Sequence, residues 1–338
     1  MSIVSEVAFE EQPVQPAGGD DLPPGVGVWQ LAWKRLRRNR VAMFFGFLFL
    51  VIVVMCLLAP VYSQDVAHVG PNFGNITATV NEGGKTVFVV SDTAIPIGPT
   101  WQISHYFLGA DDLGRDVAVR LLYGGRDSLE IGVVATLITM FFGVLLGTIA
   151  GFFRGFIDAL ISRVMDVIWS YPAVLLGITL GTVVNIRGFL FLHSTTVLTT
   201  ALVVGFVYIP YVVRPVRAQV LTLREREFID AARQQGLGNL RIMFGEMLPN
   251  LSSTIVIFIP LILANAIILE AALSYLGAGV QAPNASWGTM IQAGLNDFPQ
   301  AFHEVLVPGI MLVIAVMSVN IFGDGLRDAL DPRSKVSV

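Results

Sequence analysis

The sequence predicts an all-α integral membrane protein of six transmembrane helices, and three observations predict it. Of 338 residues, 54% are hydrophobic and 14% charged, a composition of the membrane class rather than the soluble globular one. Six charge-free runs, at 41–64, 131–153, 167–186, 188–213, 247–269 and 305–323, each approach or exceed the ~20 residues that cross a hydrocarbon core about 30 Å thick. Six crossings put both chain ends on one side. Of the 21 Lys and Arg, all but Lys85, Arg115, Arg120, Arg126 and Arg187 then fall on that side, which the positive-inside rule makes cytoplasmic.

Taken in order, residues 1–28 carry five acids and no Lys or Arg and read as a disordered cytoplasmic tail. They lack the basic start and apolar core of a signal peptide, so the first span is expected to act as the insertion signal. Residues 29–40 set Trp29, Trp33 and Leu36 beside Lys34, Arg35, Arg37, Arg38 and Arg40. That is the pattern of an amphipathic basic helix at the membrane surface, or of a plain basic stop before a span. The first span is expected at 41–62 and an external segment at 63–127. Within that segment, alternating ITATV and TVFVV flank Asn81, Glu82, Gly83 and Gly84, as in a small β-hairpin insert. A five-helix core is expected over 128–323 and a cytoplasmic tail over 324–338. The uncharged run 271–296 is rich in Gly and contains Pro283; it is expected to be an external loop that dips toward the membrane.

Several chemistries are excluded. Cys56 is the only cysteine, so there is no disulfide framework or cysteine metal site. The four histidines form no pair at metal-ligand spacing, and no nucleophile stands with a base, so neither a metal centre nor a catalytic constellation is expected on this chain. No basic aromatic groove suggests nucleic acid. Gly84, Lys85 and Thr86 match only the tail of a phosphate-binding loop, with Thr79 where the first glycine belongs.

One water-compatible stretch lies deep among the apolar runs, at 224–250. Phe228, Ala231 and Ala232 are expected on one face of a short helix, Gly236 at its left-handed stop, and Asn239 as the N-cap of a second helix. Leu240, Met243, Phe244, Met247 and Leu248 would form that helix's apolar stripe, and Pro249 would end it. A helix, a glycine turn and an amphipathic helix between two spans call for a soluble partner.

This stretch resembles the loop that marks permease subunits of ABC importers, whose motif reads EAA, three residues, Gly, nine residues, Ile, any residue, Leu, Pro. Asp230, Ala231, Ala232, Gly236, Leu248 and Pro249 keep the spacing; Asp230 stands for the Glu and Glu246 for the Ile. Further likenesses lie at LGADDLGRDVAVRLLYGGRDSL (108–129), ILEAALSYLGAGVQAPNASWGTMI (268–291) and NIFGDGLRDALDPR (320–333). They narrow the resemblance to the second permease type of the dipeptide, oligopeptide and nickel branch, over roughly residues 28–335. The acidic tail and hairpin insert are not covered, and HEVLVPG (303–309) has no Trp where members often carry one.

The resemblance implies a type I importer permease fold with a cytoplasmic coupling helix seated on an ATPase subunit. Glu227, Phe228, Asp230, Ala231, Ala232, Arg233, Gly236, Leu248 and Pro249 would form the coupling site. It implies a homologous second permease, two ATPase subunits holding ATP and Mg²⁺, an external solute-binding protein, and a bacterial or archaeal inner membrane. No cofactor and no catalysis are expected on this chain. Glu270 is expected near the external mouth, either in an external gate or simply hydrated at the interface. Asn265 would line the path or serve as packing glue. Asp111, Asp112, Arg115 and Asp116 would form a docking surface for the binding protein or a self-capped helix start. The rival classes are an ATP-independent six-span carrier or channel and a membrane scaffold; within the importer class a nickel chelate or sugar could replace the peptide.

Overall fold

A computed structural model describes residues 27–82, 84–188 and 197–330. The expected tail up to residue 26, the last eight residues, Gly83 and the start of the fourth expected span at 189–196 lie outside the described residues. Helix α1 (Val28–Arg38) buries Ala32 and Leu36 and leaves Trp29 and Trp33 exposed, with Arg37 stacked over the Trp33 ring at 5.6 Å. Leu36 therefore packs inward, beside Ala42 and Ala329, rather than joining the tryptophans. The Asn39 side chain accepts the Ala42 N–H at 3.1 Å and so caps α2 (Arg40–Leu57). A one-turn α3 (Ala59–Val61) and a wide π turn over Tyr62–Val66 extend this first apolar helix.

The hairpin forms as expected. Strands β1 (Thr79–Glu82) and β2 (Lys85–Phe88) pair antiparallel with Thr79 opposite Phe88. Gly84, at φ +86°, supplies the left-handed turn residue.

Helix α4 (Val117–Phe153) has 37 residues, and starts well before the charge-free run expected from 131. The difference is paired charge: Arg120 is buried on α4, donating to the Pro71 carbonyl at 3.0 Å and standing 3.5 Å from Asp111. A charge-free run marks the lipid-facing zone; a helix runs on wherever its charges find partners. The third expected span is broken. Helices α5 (Gly155–Trp169) and α6 (Ala173–Arg187) meet at 89° across Ser170, Tyr171 and Pro172. The fourth, α7 (Val197–Leu223), runs past the expected end at 213. Short helices α8 (Glu227–Gln234) and α9 (Asn239–Arg241) precede α10 (Leu248–Tyr275). The run 271–296 is not a plain loop: it finishes α10 and then folds α11 (Trp287–Gly294) back against α10 and α12 (His303–Leu330). Residues 324–330, expected in a tail, are the last turns of α12. Among the described residues, five helical runs are long and apolar enough to cross a membrane, or six if the bent pair counts as one span.

The centre of the bundle is the α4–α7 pair. Gly143, Gly147 and Gly151 line one face of α4 at four-residue spacing, and Val212, Val216 and Val220 of α7 fill them in register. A Cβ built on these glycines would come within 2.5, 2.9 and 2.7 Å of α7 atoms, so the helices approach as closely as glycine allows. Thr139 Oγ1 adds a bond across the same seam, donating to the Gly205 carbonyl at 2.7 Å.

Gly147→Leu should therefore push α4 off α7, costing ~1–3 kcal/mol or more by overpacking, while Gly147→Ala should cost less. Thermal midpoints in detergent check this, and a Leu variant as stable as the parent would contradict the close-packed seam.

Candidate functional site

The stretch between α7 and α10 is built from α8 outward. Glu227 and Asp230 fall in the first turn of α8, where negative charge suits the positive end of the helix dipole. Ile229 and Ala232, three residues apart, are buried among Phe152, Val216, Val220, Met243, Met247 and Leu251. Phe228, Asp230, Ala231 and Arg233 face outward, with Arg233 paired to Asp230 at 3.1 Å. The expected single face of Phe228, Ala231 and Ala232 is thus corrected: Ala232 packs inside, because it shares the Ile229 stripe.

The stop of α8 is a Schellman turn. Gly236 sits at φ +78°, its N–H donating to the Arg233 carbonyl at 2.9 Å, while the Leu237 N–H reaches the Ala232 carbonyl at 3.1 Å. No atom lies within 4 Å of a Cβ built there, so glycine is required by backbone conformation alone. Gly238, not Asn239, takes the N-cap place of the next helix, and no side chain caps it.

From Asn239 the chain stays helical to Tyr275. Residues Ile242–Met247 form a π-helical turn, which changes the phase of the side chains. The expected stripe splits accordingly: Met243 and Met247 are buried with Ile242 and Leu251, whereas Leu240 and Phe244 are exposed. Pro249 does not end the helix. It is the second residue of α10, directly after the π turn and inside the run that stays helical from Asn239, with Leu248 half-buried before it. Glu246, the motif's odd residue, lies in the π turn, and its carbonyl accepts the Asn250 amide at 2.7 Å.

This bracket is tied to the bundle by two arginines. Arg224 donates to the Phe152 carbonyl at 2.7 Å, occupying an otherwise unpaired acceptor at the end of α4. Arg154 pairs with Glu225 at 2.8 Å from the tight α4–α5 turn.

At the other end of α10, Glu270 is fully buried rather than hydrated at an interface. The reason is that α10 runs on past it and α11 folds over it. Ser274 donates to Glu270 Oε1 at 2.7 Å and accepts the Val280 N–H at 3.1 Å. Ser128 and Ser286 flank the same carboxyl, and Oε2 is left without a hydrogen-bond partner. Ser286 caps α11, and Trp287, wholly buried, donates its backbone N–H to Ser128 at 3.2 Å and its indole N–H to the Leu121 carbonyl at 3.1 Å. Sequence reasoning missed these serines and Trp287; one Trp closing a Gly-rich run was the available signal. Asn265 is half-buried. Its side-chain amide donates to the Leu261 carbonyl of its own helix at 2.8 Å, and its backbone carbonyl accepts the Tyr208 hydroxyl at 3.2 Å.

Two of the four residues expected on a docking surface lie inside. Asp116 caps α4, accepting the N–H groups of Ala118 and Val119, and its other oxygen accepts the Tyr106 N–H at 2.8 Å. Burial pushes its carboxyl above the ordinary carboxylate range, against those three bonds. Asp111 is buried, accepting the N–H groups of Leu113 and Arg115 and pairing with the Arg115 guanidinium at 2.7 Å. Only Asp112 of the set keeps substantial exposure, at 39% of its side chain.

Residues 143–336 match the model of binding-protein-dependent transport system inner membrane components, and residues 27–73 match the N-terminal transmembrane domain of oligopeptide transport permease C. A dipeptide transport system permease protein of Alkalihalophilus pseudofirmus is 34% identical over 316 residues, 94% of this chain and 93% of that one. An oligopeptide transport system permease protein of Bacillus subtilis is 33% identical over 91% of this chain and 90% of its own. A glutathione transport system permease protein of Pectobacterium atrosepticum is 32% identical over 91% and 92%. Among solved structures, an inward-facing form of the MetNI methionine ABC transporter superposes with a TM-score of 0.51 at 17% identity, covering 63% of this chain and 96% of that one. That last likeness is one of fold.

Glu270→Ala should orphan Ser274 and loosen the 276–287 segment, at ~1–3 kcal/mol for a lost buried acceptor; Glu270→Gln, which keeps an acceptor, should cost less. Thermal midpoints and protease sensitivity near Gln281 report it, and equal effects of the two changes would contradict the clasp.

Proposed function

This chain belongs to the binding-protein-dependent transport system inner membrane components, and we propose that it works as one of two permease subunits of an ATP-driven peptide importer. The observation that carries the reading is where the spacing motif falls. Asp230, Ala231 and Gly236 stand on an outward-facing helix and its Schellman stop, while Leu248 and Pro249 open the membrane-spanning α10. A force applied to α8 by a soluble partner reaches α10 across the short turn 235–238 and through the packing of Ile229 and Ala232 on Met243 and Met247 of the π turn. The names of the relatives support peptides as the solute: dipeptide, oligopeptide and glutathione permeases.

On this reading the partner at α8 is an ATPase subunit. Phe228 and Ala231 offer an apolar patch for close approach, and Asp230 and Arg233 a charged rim. Glu227 lies at the helix entrance beside it. ATP and Mg²⁺ belong to two such partners. A homologous permease completes the path and an external binding protein delivers the solute, with both chain ends in the cytoplasm of a bacterial or archaeal cell. Glu270, through its serine clasp, holds the external end of α10 closed by α11, and Asn265 marks the α7–α10 contact. Of the external loop, Asp112 remains for contact with the binding protein, while Asp111, Arg115 and Asp116 shape the loop that presents it.

Reconstitution of the whole complex in proteoliposomes tests this: peptide uptake should require ATP and both ATPase subunits, and uptake without them would overturn it. Phe228→Ala and Asp230→Arg should each lower uptake at least tenfold, with ATPase subunits lost on copurification and the permease still folded. Ile229→Ala, on the buried face, should instead lower the thermal midpoint, by ~2–5 kcal/mol of cavity cost. Unchanged uptake in both outer-face variants would move the docking site elsewhere.

A further inference from the structure

The broken span carries a second device that the motif does not touch. Helices α5 and α6 have 15 residues each, about 22 Å at 1.5 Å per residue, so neither crosses a core of about 30 Å alone. The break between them is written in the chain. Pro172 has no N–H and disfavours a helical residue before it. Ser170 closes α5 by donating its N–H to the Asp166 carbonyl at 2.9 Å and its hydroxyl to the Val167 carbonyl at 2.7 Å. Helix continuity therefore does not set the direction in which α6 leaves; side chains must.

Those side chains form one cluster. Trp169, the last residue of α5, lies on the Tyr211 ring of α7 with centroids 4.1 Å apart and planes tilted by 36°. The Arg214 guanidinium covers the Trp169 ring at 4.4 Å and pairs with Asp166 at 2.9 Å. Tyr211 meets Tyr208 edge-on at 5.2 Å, and the Tyr208 hydroxyl donates to the Asn265 carbonyl of α10 at 3.2 Å. Trp169, Tyr211 and Tyr208 are thus stacked on one another. Helix α5 is pinned to α7 by Arg217, which grips Asp158 through two bonds, and by Met165 against Ile209 and Val213. Helix α6 packs both on α7, with Leu176 and Leu180 against the core of Val203, Val204 and Val207, and on α10 and the segment beyond it, through Gly177 against Leu273 and Gly181 against Ala278. Helix α10 is the one that rises from the α8 bracket.

We propose that Trp169, Tyr211, Asp166 and Arg214 are positioning residues for transport: a latch that fixes the angle of the broken span and opens and recloses as α10 moves. The proposal rests on the permease reading. The latch is suited to opening because it is half-exposed, with Trp169 and Tyr211 each at 40%, and ion pairs this exposed hold weakly. Its members lie on α5 and α7, and Tyr208 of α7 ties the stack to α10, so a shift of α10 against α7 reaches it through that contact.

The test uses the whole importer in proteoliposomes. Trp169→Ala and Tyr211→Ala should lower peptide taken up per ATP hydrolysed at least fivefold, and Trp169→Phe and Tyr211→Phe should restore at least half. In a Cys56→Ser background, the pair Trp169→Cys and Tyr211→Cys should be joined by a short bismaleimide. The joining yield should fall several-fold when the ATPases are trapped with ATP and vanadate. Should an alanine variant not fold, the cross-link yield decides alone. Equal yields in both states, or undiminished uptake per ATP in the folded alanine variants, would overturn the latch and leave the permease reading standing. Absence of ATP-dependent uptake in the unmodified complex would overturn both.

Discussion

The structure depends on how closely α4 approaches α7. Three glycines set one turn apart admit three valines, so over that length only the valine side chains separate the two backbones. In a bilayer such contact carries the association, since burying apolar surface away from lipid offers little driving force. Everything on the basic side hangs from this seam. The end of α4 supplies the carbonyl that Arg224 grips, the end of α7 leads into α8, and both contribute to the apolar pocket that holds Ile229. A looser seam would leave the bracket without a seat.

The two faces of α8 then divide the labour. Its inner face, Ile229 and Ala232, is continuous with the bundle core; its outer face is small, apolar and rimmed by an exposed Asp230–Arg233 pair. An eight-residue helix is too short to be stable by propensity alone, so its outward presentation is paid for by the inner packing. The Schellman stop reverses the chain at once, and the next helix runs without interruption into the membrane span.

How far the sequence could be read follows from which interactions are local. Apolar runs located the five long helices and the alternation located the hairpin, because both patterns are local in the chain. The helix bounds were less legible: Arg120 on α4 is satisfied by Asp111 and by the Pro71 carbonyl, about fifty residues away in the chain, and no local pattern reveals that pairing. Glu270 failed as a hydrated interfacial acid for the same reason, since Ser128 and Ser286 come from other elements. The spacing motif found the bracket, yet it could not show that a π turn moves Leu240 and Phe244 out of the buried stripe or that Pro249 lies inside a helical run instead of ending one. Local stops at Gly236 and Ser170 to Pro172 depend on backbone chemistry, and there the glycine was read correctly while the proline break was taken as continuous.

Prolines interrupt the hydrogen bonding of three spans without ending them. Pro260 lies inside α10 and Pro308 inside α12, each removing a helical bond one turn upstream. Pro260 is backed by Gly323 of α12, whose added Cβ would fall 2.7 Å from the proline ring, so the two helices meet closely where that bond is lost. Helix α7 holds two prolines, Pro210 before the valine ridge that α4 clamps and Pro215 within it. In α10 and α7 alike, a glycine on the neighbouring helix lets that helix close on the weakened stretch, so the missing bond is answered by packing between helices rather than within one.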